Sequence, residues 1–284
     1  MAWSPQPLVS TAWLADHLTA PDLRIIDASW YMPADNRDVR AEYDKCHIPG
    51  ARFFDIDEIS DAQSDLPHMA PSVEKFVSRM RALGIGDGHR VVVYDSAGIF
   101  SAARVWWLFN HFGKTDVSVL DGGLPAWIAE RRDTLDFPPT LRDRHFTARR
   151  NADLVRDVTQ VAASAKLRDV QIVDARAPAR FEGTAPEPRE GLRSGHIPGA
   201  RNLFFKDLLT ADGKMKDKDG LRAAFAAAGV DLDRPIVTSC GSGVTAAIIN
   251  LALVVLGHSN HALYDGSWAE WGAYKDLKVA TGPA

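Results

Sequence analysis

The chain repeats itself, and a repeat dictates architecture before any single motif is read. IIDAS at 25–29 returns as IVDAR at 172–176, and CHIPGAR at 46–52 returns as GHIPGAR at 195–201. VVVYDSAG at 91–98 aligns with IVTSCGSG at 236–243, and LDGGLPAW at 120–127 with YDGSWAEW at 264–271. The order is preserved and the offsets are 147, 149, 145 and 144 residues, so the whole chain reads as a duplication with small insertions. At 284 residues and 46% hydrophobic it is long enough for two cores. The expected division is a first domain over 1–135, a polar, proline-containing linker over 136–152, and a second domain over 153–284.

Within each copy, short β-branched runs bounded by turn residues predict buried strands: LRIIDAS, RVVVYDS, VSVL, VQIVDAR and RPIVTS. They alternate with helical patterns such as TAWLADHL, PSVEKFVSRMRALG and VTAAIINLALVVLG, the last two closing on a glycine suited to a left-handed cap. Strand and helix in alternation imply two α/β domains, each a mainly parallel sheet flanked by helices. The Ile-Pro-Gly segments read as turns, and His47 and His196 within them as structural, because both copies carry them.

Composition narrows the function classes. With 33 basic and 37 acidic residues interspersed, the formal charge is −4, and no basic block could track a phosphate backbone, so no nucleic-acid partner is expected. The apolar run Val244 to Gly257 is shorter than the roughly 20 residues that span a bilayer and contains Asn250, so it predicts a buried helix rather than a membrane anchor. The N-terminal stretch lacks the basic, apolar and small-residue order of a secretory leader, and a cytoplasmic location is expected. Cys46 and Cys240 are too few for a disulfide framework and too far apart for a zinc site of paired cysteines, so no metal or cofactor is expected.

The informative segment is Cys240-Gly241-Ser242-Gly243-Val244-Thr245, between a predicted buried strand and a long apolar helix. Ligands collect beyond the carboxyl ends of parallel strands, where a glycine-rich turn and a helix N-terminus bring backbone N–H groups to one point. A thiolate is favoured in such a nest, which makes Cys240 a candidate nucleophile and Gly241, Gly243, Val244 and Thr245 candidate lining. The matching position in the first copy is Asp95, which cannot attack sulfur and repels anions, so the first copy is expected to be silent. Cys46 has no comparable loop.

Taken together, the tandem layout, the HIPGA segments, the DGG and DGS turns and CGSGVTA resemble the mercaptopyruvate branch of the two-domain rhodanese superfamily, over almost the entire chain. That resemblance implies two rhodanese-like domains and a sulfurtransferase. Cys240 would take sulfur from 3-mercaptopyruvate as a persulfide, release pyruvate and hand the sulfur to a thiol, a thioredoxin-like protein or cyanide. It implies that Arg180 and Arg189 bind the substrate carboxylate and carbonyl, as fork-shaped donors suit a small α-keto acid. It also implies that Ser242, His68 and Asp57 assist proton transfer. Three rivals remain, and the loop separates the first two. A thiosulfate sulfurtransferase typically carries basic residues after the cysteine, where this chain has Gly241 and Ser242. A cysteine phosphatase ends its loop in arginine, where this chain has Ala246. Against a non-catalytic binding or sulfur-carrier module stand the retained nucleophile together with both arginines.

Overall fold

A computed structural model describes residues 6–284; the first five residues of the stretch read for a leader lie outside the described residues. The chain forms two compact units whose membership is not contiguous. Unit 1 holds residues up to 61, 71–151 and 211–215, and unit 2 holds 62–70, 152–210 and 216–284. Each half of the sequence thus contributes one short segment to the unit built by the other half.

Unit 1 runs β1 (Leu8–Val9), α1 (Thr11–His17), β2 (Leu23–Asp27), α2 (Val39–Lys45), β3 (Ala51–Phe53), α3 (Val73–Ala82), β4 (Arg90–Tyr94), α4 (Ala102–His111), β5 (Val117–Leu120) and α5 (Gly123–Ala129). Its five strands are parallel in the order β1-β5-β4-β2-β3. Unit 2 repeats the scheme with β6 (Val155–Arg156), α6 (Val158–Leu167), β7 (Gln171–Asp174), α7 (Pro178–Phe181), β8 (Arg201–Asn202), α8 (Lys218–Ala227), β9 (Ile236–Ser239), α9 (Ala246–Leu256), β10 (His261–Tyr264) and α10 (Ser267–Trp271). Its sheet, β6-β10-β9-β7-β8, is parallel in the same order. The predicted strands are therefore present as β2, β4, β5, β7 and β9, and they are largely buried on both faces as their continuous apolar runs demand.

Local chemistry starts and stops the helices where expected. Ser10, Ser72, Asp157 and Asp217 each cap a helix by accepting the backbone N–H three residues on, which is worth about 1 kcal/mol apiece. Gly257 ends α9 in the left-handed conformation at φ +87°, which a side chain would disfavour. Residues 246–253 of α9 are all buried, as a helix apolar on every side requires. Its one polar residue, Asn250, accepts a hydrogen bond from Thr238 Oγ1 at 3.2 Å. The polar stretch after α5 belongs to unit 1, where Phe146 packs in a ring cluster with Phe76 and Phe109.

Candidate active site

Cys240 follows the last residue of β9, and α9 begins six residues later. One element, α10, fixes the loop between them. The amide of Cys240 donates to Ser267 Oγ at 3.2 Å, while its carbonyl and that of Gly241 accept from the N–H groups of Trp268 and Ala269, both at 2.9 Å. Gly243 sits at φ +78°, where only glycine is free of strain. Helix α9 has no side-chain N-cap, and among the described residues no acceptor reaches the N–H groups of Ser242, Gly243, Val244 or Thr245. The carbonyls of Cys240 and Gly241 are tied while the amides of Ser242 to Thr245 stay open, and open amides at a helix start attract an anion. Cys240 itself is 2% exposed.

Two arginines flank this loop. A Cβ placed on Gly241 would lie 3.1 Å from an Arg180 guanidinium nitrogen and 3.7 Å from one of Arg189. Arg180 is aimed by Glu187, whose carboxylate accepts from Arg180 at 2.6 Å and from Arg176 at 2.8 Å. Arg176 in turn forks Asp174 at 2.7–3.1 Å, donates to the Gly195 carbonyl and lies over the Trp268 ring at 4.3 Å. Burial works against the Arg176 charge, but Asp174 and Glu187 more than offset it and hold its pKa above the usual arginine value. Arg176, Asp174 and Glu187 side chains are at most 2% exposed, so each charge depends on its partners.

His68 belongs to the 62–70 segment of unit 2. Its Nδ1 lies 2.9 Å from Ser242 Oγ, which also accepts from Arg189 at 3.4 Å. Because arginine only donates, the Ser242 hydroxyl proton is available to Nδ1 in the tautomer that carries the ring proton on Nε2. The segment is anchored by Ala70, whose N–H donates to Asp265 Oδ2 at 2.7 Å. Unit 2 thus brings Cys240, Gly241, Ser242, Gly243, Val244 and Thr245 together with His68, Arg180 and Arg189. Asp57 lies in unit 1, where its Oδ2 accepts from Trp30 Nε1 at 3.0 Å.

Residues 10–130 and 157–274 each match the rhodanese-like domain. The chain is 46% identical over 274 residues to the 3-mercaptopyruvate sulfurtransferase of Escherichia coli, covering 95% of this chain and 96% of that protein. It is 42% identical over 277 residues to the human 3-mercaptopyruvate sulfurtransferase, covering 94% and 93%, and 44% identical over 271 residues to the bovine thiosulfate sulfurtransferase, covering 93% and 91%. Its fold superposes on the crystal structure of the Escherichia coli 3-mercaptopyruvate enzyme SseA with a TM-score of 0.86 at 43% identity, over 93% of this chain and 99% of that one. The chain belongs to the rhodanese family.

Comparing the two rhodanese domains position by position shows what separates them. The 62–70 and 211–215 segments are themselves counterparts, since Met215 N–H donates to Asp121 at 2.8 Å just as Ala70 does to Asp265. On that alignment His68 stands where unit 1 has Gly213, and Ser267 where it has Gly123. Both glycines are left-handed, at φ +77° and +56°, and His68 and Ser267 adopt the same region at φ +62° and +49°. A side chain there costs about 1 kcal/mol or more, and such strain concentrates at working sites. Sequence reasoning did not single out Glu187, Arg176, Asp174 or Ser267. The signal was in the repeat: IIDAS against IVDAR exchanges Ser29 for Arg176, and DGG against DGS exchanges Gly123 for Ser267. His47 and His196 are held in their turns by carbonyl partners, those of Tyr43 and Phe137 for the first and of Phe181 for the second.

Proposed function

We propose that this protein is a 3-mercaptopyruvate sulfurtransferase with Cys240 as its sulfur carrier. The observation that supports the reading best is the separation of charge at the site: the loop after Cys240 is neutral and rich in open amides, while Arg180 and Arg189 converge beside Gly241. The substrate carboxylate and carbonyl oxygen go to the arginines, and the Cys240 thiolate attacks the substrate sulfur. A bond forms between the two sulfurs and the bond from sulfur to C3 breaks, leaving its electron pair on the enolate of pyruvate, whose oxygen the guanidiniums stabilise. The substrate thiol proton passes through Ser242 and His68 to C3, and a Cys240 persulfide remains on the open amides. A thiol, a thioredoxin-like protein or cyanide then removes the outer sulfur. A part for Asp57 in the proton relay rests on family resemblance alone.

Unit 1 is the catalytically silent copy, built around the expected domain of 1–135, with 136–152 as the link to the active domain of 153–284. The second reading is a thiosulfate sulfurtransferase, favoured by the identity to the bovine enzyme, which equals that to the human mercaptopyruvate enzyme within a few per cent. Overall identity does not choose between them; the uncharged Gly241-Ser242 pair favours the α-keto acid, since a dianion close to Cys240 wants cations in the loop itself. Cytoplasmic location is part of the proposal: no helix among the described residues is long and apolar enough to cross a membrane, and a plant relative is named as mitochondrial, so cell fractionation is the check. The function is tested by pyruvate release from 3-mercaptopyruvate and by mass spectrometry of Cys240 for an added sulfur. Cys240→Ser abolishes both and Cys46→Ser neither; a dead Cys46→Ser and an active Cys240→Ser overturn the assignment.

A further inference from the structure

The silent loop of unit 1 is not empty. Asp95, 1% exposed, turns its carboxylate back into its own loop. Oδ1 accepts from the N–H of Ala97 at 2.9 Å, and Oδ2 from those of Phe100 at 2.7 Å and Ala102 at 2.8 Å. At the repeat offset of 145, these donors correspond to Ser242, Thr245 and Ala247. In unit 2, Ser242 and Thr245 have no acceptor among the described residues, and Ala247 reaches only the Val244 carbonyl at 3.3 Å. The loops share one tie: the Asp95 carbonyl accepts from Leu124 at 3.0 Å as that of Cys240 does from Trp268 at 2.9 Å. Gly98 is left-handed like Gly243, and the neighbouring 211–215 segment approaches it closely enough that a Cβ on Gly98 would stand 2.9 Å from the Gly213 carbonyl oxygen.

The same nest therefore exists twice, and in unit 1 it holds an anion supplied by the chain. Connectivity makes the match specific. An Asp carboxylate oxygen is two bonds from Cβ, as is the outer sulfur of a cysteine persulfide, and both are anionic acceptors for backbone N–H groups. We propose that unit 1 carries a second, self-occupied copy of the sulfur-binding site, in which Asp95 stands in for a persulfide, and that replacing this one carboxylate opens a site for small sulfur-bearing anions such as thiosulfate. Asp95 thereby excludes donors from the first nest and limits the chain to one sulfur. The inference rests on the sulfurtransferase reading of Cys240.

The test uses full-length protein with thiosulfate as the probe. In the Cys240→Ser, Asp95→Cys variant, the residue 95 thiolate bonds to the sulfane sulfur, the S–S bond of thiosulfate breaks, and sulfite leaves with the electron pair; cyanide then removes the sulfur as thiocyanate and restores the thiolate. Peptide mass spectrometry is expected to find one cyanide-removable sulfur on residue 95 and none in Cys240→Ser alone. Wild-type protein given 3-mercaptopyruvate, which loads Cys240, is the control: failure there sinks the sulfurtransferase reading. Loading at Cys240 with a folded but sulfur-free residue 95 overturns the present inference instead. Should Asp95→Cys not fold, Asp95→Ala is followed by hydrogen exchange over 95–104. The amides of Ala97, Phe100 and Ala102 are expected to exchange at least about tenfold faster than in wild type, and millimolar thiosulfate to slow them again. Exchange that stays slow, or that thiosulfate leaves unchanged, overturns the proposal.

Discussion

His68 allows strain and chemistry to be separated with two substitutions. It sits at φ +62° where the first domain uses Gly213, and its Nδ1 is 2.9 Å from Ser242 Oγ. His68→Ala removes the ring but keeps a Cβ in the left-handed region; His68→Gly removes both. Either loses a hydrogen bond of about 1 kcal/mol. Glycine also relieves roughly 1–2 kcal/mol of left-handed strain, while its freer unfolded chain takes back about 0.4–1 kcal/mol. His68→Gly should therefore be more stable than His68→Ala by about 0.5–1 kcal/mol and close to wild type. In turnover the two should be alike. Loss of a positioned proton carrier lowers kcat for 3-mercaptopyruvate by about 10²- to 10⁴-fold, with KM changed only a fewfold because the arginines remain. Urea denaturation and steady-state pyruvate release measure both quantities. Near-wild-type turnover in His68→Gly would refute the proton-transfer role, and equal stabilities of the two variants would refute the strain.

Glu187→Gln keeps the shape of the bridge but strips the charge shared by Arg176 and Arg180; the expected result is a rise in KM for 3-mercaptopyruvate of at least tenfold, with a loss of stability of up to about 3 kcal/mol, and an unchanged KM would show that Arg180 needs no such anchor. Gly241→Ala sets a Cβ 3.1 Å from an Arg180 nitrogen, so the guanidinium must move by a few tenths of an ångström. A fall in kcat/KM of about tenfold with little change in urea midpoint is expected, whereas a fully active variant would place the substrate away from Arg180. His261 is buried and neutral, its pKa pushed down to about 4 by desolvation and by His258. The unfolded chain binds this proton below about 6.5 and the folded chain only near 4, so stability falls as pH drops across that window, by at most about 3 kcal/mol. His261→Leu should flatten the urea midpoint between pH 7 and 4.5, and an identical slope in both proteins would exclude the residue as a cause.

The duplication, the strands and the nucleophile loop were legible in the sequence because each rests on a local signal. Buried parallel strands are continuous β-branched runs, glycines mark left-handed turns at Gly243 and Gly257, and Cys240 stands between such a strand and Gly243. That the first copy carries Asp95 in place of the cysteine was readable too. That Asp95 fills its own nest was not, since the identity of a residue does not say which amides its carboxylate will reach. His68 meets Ser242 across 174 residues of sequence, and its segment joins the unit built by the other half of the chain. No periodicity or propensity encodes that exchange, because it depends on which surfaces remain to be covered once both sheets have formed. Glu187 illustrates the same limit: nothing in its local sequence marks it, and only burial beside Arg176 and Arg180 turns it into a bridge between the two guanidiniums. Spacing along the chain thus determined the fold and singled out Cys240 as the candidate thiol, while long-range packing, which brings charges out of water and forces them to find partners, decided which side chains surround it.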